Sequence, residues 1–246
     1  MRSPRVEFAL SLGFSYEDGQ TFIFDNLATP FSIGRTSIIK FGQDYIKREP
    51  QRAWFLRRRS PPQASQFSFG IHILDATMNN HPIPDGRFFS WLGEVQRVQH
   101  LLFIQADLQL TPDSLLSSQQ FVIGGGQSIR GYRQNIRSGD DGFRVTIKDR
   151  ITVQRNESGL STIQLAPFLD MGAVWNKSNS PNPLPDQTFL LGAGLGLLWN
   201  QAMGIDNLYL RLDYGFPFID LSDRGNNAQD DGFYFSLRYQ LSKVVR

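Results

Sequence analysis

The sequence predicts an all-β fold: an antiparallel up-and-down transmembrane β-barrel contributing about ten strands and no helix. Three observations carry this. Apolar residues recur at every second position in segment after segment; the connections alternate between short and long along the whole chain; and charged residues sit in mid-strand, opposite the apolar stripes.

In the first segment Val6, Phe8, Leu10, Leu12, Phe14 and Tyr16 share one face and Glu7, Ala9, Ser11, Gly13 and Ser15 the other, the two-residue period of a strand. A less regular strand lies near Ile38 to Lys47. The alternation returns in Phe67 to Ile73, Phe89 to Val95 and Leu102 to Leu110. After a glycine-rich centre it resumes in Phe143 to Ile147, Ile163 to Met171, Phe189 to Trp199, Leu208 to Phe216 and Phe233 to Leu241.

Short connections are expected at Glu49 to Gln51, Arg97 to His100, Arg155 to Ser161 and Asn200 to Asn207. Long polar loops are expected at Glu17 to Arg35, Ala76 to Arg87, Thr111 to Gly142, Asn176 to Gln187 and Pro217 to Asp231. Alternation alone fits a soluble antiparallel sheet with one wet face equally well. Gathering the long loops at one end and the tight turns at the other is the pattern of an outer-membrane barrel, and the aromatic stripes agree with it. Opposite those stripes stand Gln105, Asp107 and Gln109; Arg144, Thr146, Lys148 and Arg150; Tyr209, Arg211 and Asp213; and Tyr234, Ser236, Arg238 and Gln240. Charges of both signs in mid-strand suit a wet lumen. Asp149 is the exception, since strict alternation puts it on the lipid side; a bulge or a position above the bilayer would account for it. Asp-Gly precedes an aromatic-led strand at Asp85-Gly86, Asp141-Gly142 and Asp231-Gly232, and ordinary turn chemistry explains all three.

Composition narrows the function. With no cysteine and only three histidines, His72, His81 and His100, none in a ligand-spaced pair, cysteine-ligated metals, thiol chemistry and disulfide frameworks are excluded and no metal or cofactor is expected. A pI near 9.0 rests on a net charge of only +2, which is no field for phosphates, so nucleic acid is not an expected partner. The longest nearly uncharged apolar stretch, Phe189 to Trp199, falls far short of the ~20 residues a membrane helix needs. Met1 to Arg5 runs straight into the first strand without the pattern of a secretory signal.

The loop from Thr111 to Gly142 is long enough to carry function. Its glycines, Gly124-Gly125-Gly126, lack the Gly-Lys-Ser/Thr and the strand-to-helix context of a nucleotide cradle. Ile129-Arg130-Gly131-Tyr132-Arg133 instead resembles the inward-folded loop motif of the Omp85 superfamily. The flanking Gly-Gly-x-x-Ser and Gly139-Asp140-Asp141-Gly142-Phe143 resemble its two-partner secretion branch, the haemolysin activator/secretion proteins. In that family the loop arginine meets the Asp of a Phe/Gly-x-Asp-x-Gly motif on the second strand after the loop. Phe168-Leu169-Asp170-Met171-Gly172 stands there, with Phe168, Asp170 and Gly172 on the lumen side by alternation. Arginine's planar fork matches a carboxylate bidentately, so the pair would set the loop's orientation as well as its position. Gly192, Gly194 and Gly196 form an inward stripe of small residues on the next strand, which the core packing of a small barrel explains equally well.

The resemblance implies a bacterial outer-membrane pore secreting a largely unfolded partner protein, with no catalytic residues and no cofactor. Outer-membrane lipid, and the barrel assembly machinery acting on the C-terminal strand, are its other expected partners. It covers residues 1–246 as the C-terminal part of a roughly sixteen-stranded barrel, without the family's POTRA domains and first strands. Arg57 to Ser65 interrupts a strand-like stretch and reads as an insertion, and Ser242 to Arg246 form a tail beyond the last strand. An Omp85-type insertase that assembles other barrels is the alternative. More remote are a passive porin, which has no use for the paired motifs, and a barrel enzyme, which needs a nucleophile, base and orienting group where His72 faces the lumen without a partner.

Overall fold

The computed structural model describes residues 5–23, 27–49, 52–55, 65–71, 86–99, 101–178, 180, 184–222 and 230–241. Its regular structure is strand throughout, apart from one short 3-10 turn at Ala202–Gly204. Before the long loop come β1 (Arg5–Ile23), β2 (Leu27–Glu49), β3 (Arg52–Phe55), β4 (Ser65–Ile71), β5 (Phe88–Gln99) and β6 (Leu102–Leu110). Inside the loop a small ladder joins β7 (Phe121–Ile123) to β8 (Arg137–Gly139). After it follow β9 (Asp141–Lys148), β10 (Ile151–Arg155), β11 (Ser161–Trp175), β12 (Phe189–Asn200), β13 (Leu208–Pro217) and β14 (Phe233–Tyr239).

The wall is antiparallel, in the order β1-β2-β3-β5-β6-β9-β11-β12-β13-β14. Both β3 and β4 pair with β2 and with β5, so together they fill a single strand position. In the same way β10 continues β9 along β11. Among the described residues no ladder joins β14 to β1.

Alternation sorts the side chains as expected. On β1 the stripe from Val6 to Tyr16 is 53–79% exposed, and on β14 Phe233, Phe235, Leu237 and Tyr239 lie equally bare. An apolar surface this continuous is intolerable in water and suits hydrocarbon. On β11 the opposite parity is buried: Ala166, Phe168, Asp170, Gly172 and Val174 all face the interior.

The break between β9 and β10 explains Asp149. In register that residue stands opposite Pro167, which has no N–H for the ladder. Asp149 donates its own N–H to the Pro167 carbonyl at 3.1 Å, receives nothing back, and accepts the Arg150 N–H on its carboxylate at 2.8 Å. The ladder therefore lapses at Asp149, and a register shift follows between Thr152 and Gln154.

Two sequence expectations are corrected. The loop expected at Glu17 to Arg35 is mostly strand, because pairing continues through Glu17↔Thr36, Asp18↔Arg35 and Gln20↔Ile33 to Ile23↔Leu27. Polar side chains and a glycine do not stop a ladder whose bonds are all backbone. Asp141-Gly142 is not a turn either: both residues open β9, and Asp141 is fully buried. Gly232 (φ 73) and Gly86 (φ 75) do adopt the left-handed conformation of a turn. His72, His81, His100, Asp85, most of the Ala76 to Arg87 loop, Arg57 to Ser60 and the tail from Ser242 lie outside the described residues.

Candidate functional site

The loop after β6 turns back onto the inner face of the wall, held at both its base and its tip. At the base, Asp140 and Asp141 are fully buried. Asp140 accepts the Leu115 N–H at 2.9 Å, the Gln120 amide at 3.1 Å and the Lys177 N–H at 3.0 Å. Asp141 accepts the Thr111 N–H at 2.7 Å and pairs with Lys177 Nζ at 2.6 Å. Two adjacent carboxylates thus tie the two ends of the loop together and to the next loop.

The tip begins with a tight turn in which Ser128 N–H donates to Gly125 and Gly125 N–H to the Ile129 carbonyl, each at 3.0 Å. That turn delivers Ile129 into a buried apolar cluster with Phe121, Ile123, Tyr132, Val174, Leu190 and Leu221. Arg130 then reaches β11. Its backbone N–H and Nε donate to Asp170 Oδ2 at 3.1 and 2.7 Å, and Nη2 donates to Oδ1 at 2.9 Å. Its Nη1 lies 3.5 Å from Asp213 Oδ1 on β13, and the guanidinium stacks over the Phe168 ring, 3.3 Å from the centroid. Arg130 is 4% exposed and Asp170 not at all. A pair this dry is expensive to assemble, and removing either partner strands a buried charge at a cost of about 3–5 kcal/mol.

Glycines make the approach possible. A Cβ on Gly192 of β12 would stand 2.1 Å from the Arg130 carbonyl oxygen, and one on Gly215 of β13 would stand 2.5 Å from the Gly131 nitrogen. The loop backbone therefore lies directly on the wall. Gly131 itself has φ +99, a conformation other residues adopt only with strain. Gly172 leaves room for Ile129 Cδ1, which a Cβ there would meet at 2.9 Å.

Beyond the ion pair, two tyrosines bridge the tip to the wall. Tyr234 Oη accepts the Gly131 N–H at 3.0 Å and donates to the Tyr132 carbonyl at 2.8 Å. Tyr132 Oη donates to the Leu191 carbonyl at 2.8 Å and accepts the Ile219 N–H at 3.1 Å. Arg133 turns away from Asp170 and pairs with Asp230 at 2.6 Å.

Of the eight motif residues named from the sequence, Ile129 to Tyr132 come together with Phe168, Asp170 and Gly172 at the wall, while the side chain of Arg133 goes to Asp230 instead. Asp213 and Tyr234 were visible in the sequence only as inward polar residues; their shared face was the available signal, and nothing in it placed them at the loop tip. Among the described residues no group of acidic or histidine side chains is arranged to hold a metal. The arrangement is a set of hydrogen bonds and ion pairs that fixes the loop tip to the inner wall. Between the folded loop and strands β1 to β6 lies a polar cleft of about 370 Å³, lined by residues such as Lys40, Glu94, Asp107, Gln120 and Arg144.

The family model for haemolysin secretion/activation proteins, ShlB/FhaC/HecB, matches residues 2–198. Among solved structures, CdiB from Acinetobacter baumannii aligns over 94% of this chain and 38% of its own, with TM-score 0.63 and 18% identity. CdiB from Escherichia coli aligns over 94% of this chain and 41% of its own, with TM-score 0.68 and 15% identity. The chain therefore spans about two fifths of the length of each. A search of curated protein sequences returns no match.

Proposed function

Because the chain belongs to the haemolysin secretion/activation protein family ShlB/FhaC/HecB, an outer-membrane β-barrel family, we propose that it is the C-terminal part of a pore that secretes a largely unfolded partner protein. The observation that carries this reading is the loop tip pinned against the inner wall by Arg130 and Asp170. A passive porin has no need of a loop tip latched to its wall by hydrogen bonds and ion pairs, so the reading is of a transporter. The loop occupies the lumen, and a chain in transit passes beside it or displaces it.

In this reading outer-membrane lipid covers the stripe from Val6 to Tyr16 and its counterparts, and the assembly machinery engages β14, whose apolar face runs from Phe233 to Tyr239. The rival is an insertase that assembles other barrels. Deleting the protein from its own cell distinguishes the two. A secretion pore leaves one partner stranded inside the outer membrane while the other barrel proteins stay at normal abundance. A general fall in barrel proteins would refute the secretion reading.

A further inference from the structure

Four cations gather on the inner wall at and below the latch, toward the short turns: Arg130, Lys148, Arg150 and Arg211. Lys148 lies within electrostatic reach of the other three, and Arg150 of Arg211. Among the described residues two carboxylates serve this group. Asp170 gives both oxygens to Arg130, and Asp213 is shared between Arg130 and Arg211, the latter at 2.6 Å. Farther along the same face is Arg238 on β14, in register with Tyr209 of β13.

Among the described residues Lys148, Arg150 and Arg238 have no ion-pair partner. Two of them are held by rings instead: Lys148 Nζ sits 3.9 Å from the centroid of Phe103, and Arg238 Cζ 4.9 Å from that of Tyr209. A ring positions a cation without neutralising it. Strand parity turns two of these groups inward, Lys148 beside Phe168 and Arg238 on the face of Tyr234, and Arg150 follows Lys148 at the break before β10. The polar cleft nearer β1 to β6 holds Glu17, Glu94 and Asp107 against Lys40 and Arg144, with Arg144 paired to Asp107, so its cations are matched by acids where those of this wall are not.

We propose that this basic arc is an anion site for the carboxylates of an extended acidic polypeptide segment, engaged as the chain enters from the short-turn side. The inference rests on the secretion reading above and specifies the chemistry of what passes. Unpaired cations lining a wet lumen with low-dielectric walls attract carboxylates more strongly than they would on an open surface, because the walls focus the field. Because the attraction is not tied to a fixed partner geometry, it is compatible with a moving chain.

The test uses the complete transporter in a planar lipid bilayer, with oligoglutamate added on the short-turn side and oligoglutamine of equal length as control. Oligoglutamate is expected to block the open-pore current at least about tenfold more strongly than oligoglutamine, and less so at 1 M salt, where the screening length falls to about 3 Å. The triple variant Lys148→Gln, Arg150→Gln, Arg238→Gln is expected to lose the difference, while Lys148→Arg keeps it. Heat-modifiable gel mobility confirms that each variant is a folded barrel. Equal block by the two peptides, or undiminished oligoglutamate block in the triple variant, would overturn the site and leave the pore intact. Preferential block by single-stranded DNA, with none by oligoglutamate, would reassign the wall to phosphate. Absence of both conductance and secretion would remove the pore reading and the site with it.

Discussion

Asp170→Asn is the sharpest single perturbation of the latch, since it preserves shape and removes one charge. In the native pair Asp170 accepts three N–H groups of Arg130, on both of its oxygens, at 2.7–3.1 Å. Asparagine offers one acceptor oxygen, and its NH2 group faces a guanidinium that has only donors. Asp213, 3.5 Å from Nη1 and already paired with Arg211, is a weak substitute. Leaving the guanidinium buried without its main counter-charge is worth about 3–5 kcal/mol. At 1.4 kcal/mol per decade, that raises the fraction of time the tip is undocked by roughly a hundredfold to a few thousandfold. Hydrogen exchange reads this directly, because the Arg130 and Gly131 amides donate to Asp170 and Tyr234 and are protected only while docked. Their protection is expected to fall by about that factor, with exchange in β11 and β12 unchanged. Wild-type protection across residues 129–133 would refute the claim that the ion pair holds the tip.

Three further outcomes follow from the same geometry. Gly192→Ala places a methyl 2.1 Å from the Arg130 carbonyl oxygen, a backbone atom that can yield only if the tip lifts, so the same peptide is expected to lose protection although no charge has changed. Tyr234→Phe strips the Gly131 N–H of its acceptor and the Tyr132 carbonyl of a donor, and is expected to destabilise docking by about 1–3 kcal/mol, measured by the same exchange. On β14, Phe235→Lys puts a charge on the 82%-exposed outer stripe and is expected to reduce membrane insertion by about 2–4 kcal/mol near mid-bilayer, while Ser236→Lys, one residue along, is tolerated. Equal insertion of the two lysine variants would contradict the assignment of the faces.

The wall was legible because a barrel strand repeats every second residue and because its two faces meet opposite solvents: Phe233, Phe235 and Leu237 need no tertiary context to read as one stripe. Parity made Asp170 legible only as an inward polar residue; its pairing with Arg130 was legible through the resemblance of the two motifs to those of the family. Asp213 and Tyr234 were not. They approach the loop only because Gly192 and Gly215 let its backbone lie on the wall, and that proximity is a product of packing between segments some eighty to a hundred residues apart. Asp141 misled because Asp-Gly is a strong local turn signal, whereas its carboxylate in fact caps the Thr111 N–H across the base of the loop. The hairpin of β1 and β2 outlasts the polar run from Glu17 to Gln20 because ladder bonds are indifferent to side-chain polarity. The lapse at Asp149 follows from Pro167, which the sequence displays but which acquires meaning only once the register puts the two opposite each other.

The central claim, that secretion depends on one shared contact inside the barrel, is tested most directly by a double-mutant cycle on Arg130 and Asp170 in the complete transporter. Partner protein released to the medium is measured for Arg130→Ala, Asp170→Ala and the double variant, at matched outer-membrane levels. Each single substitution is expected to impair secretion while the barrel stays inserted, and the double variant to be little worse than either, because two residues sharing one interaction do not add. Normal secretion by Asp170→Ala, or strictly additive losses in the pair, would contradict it.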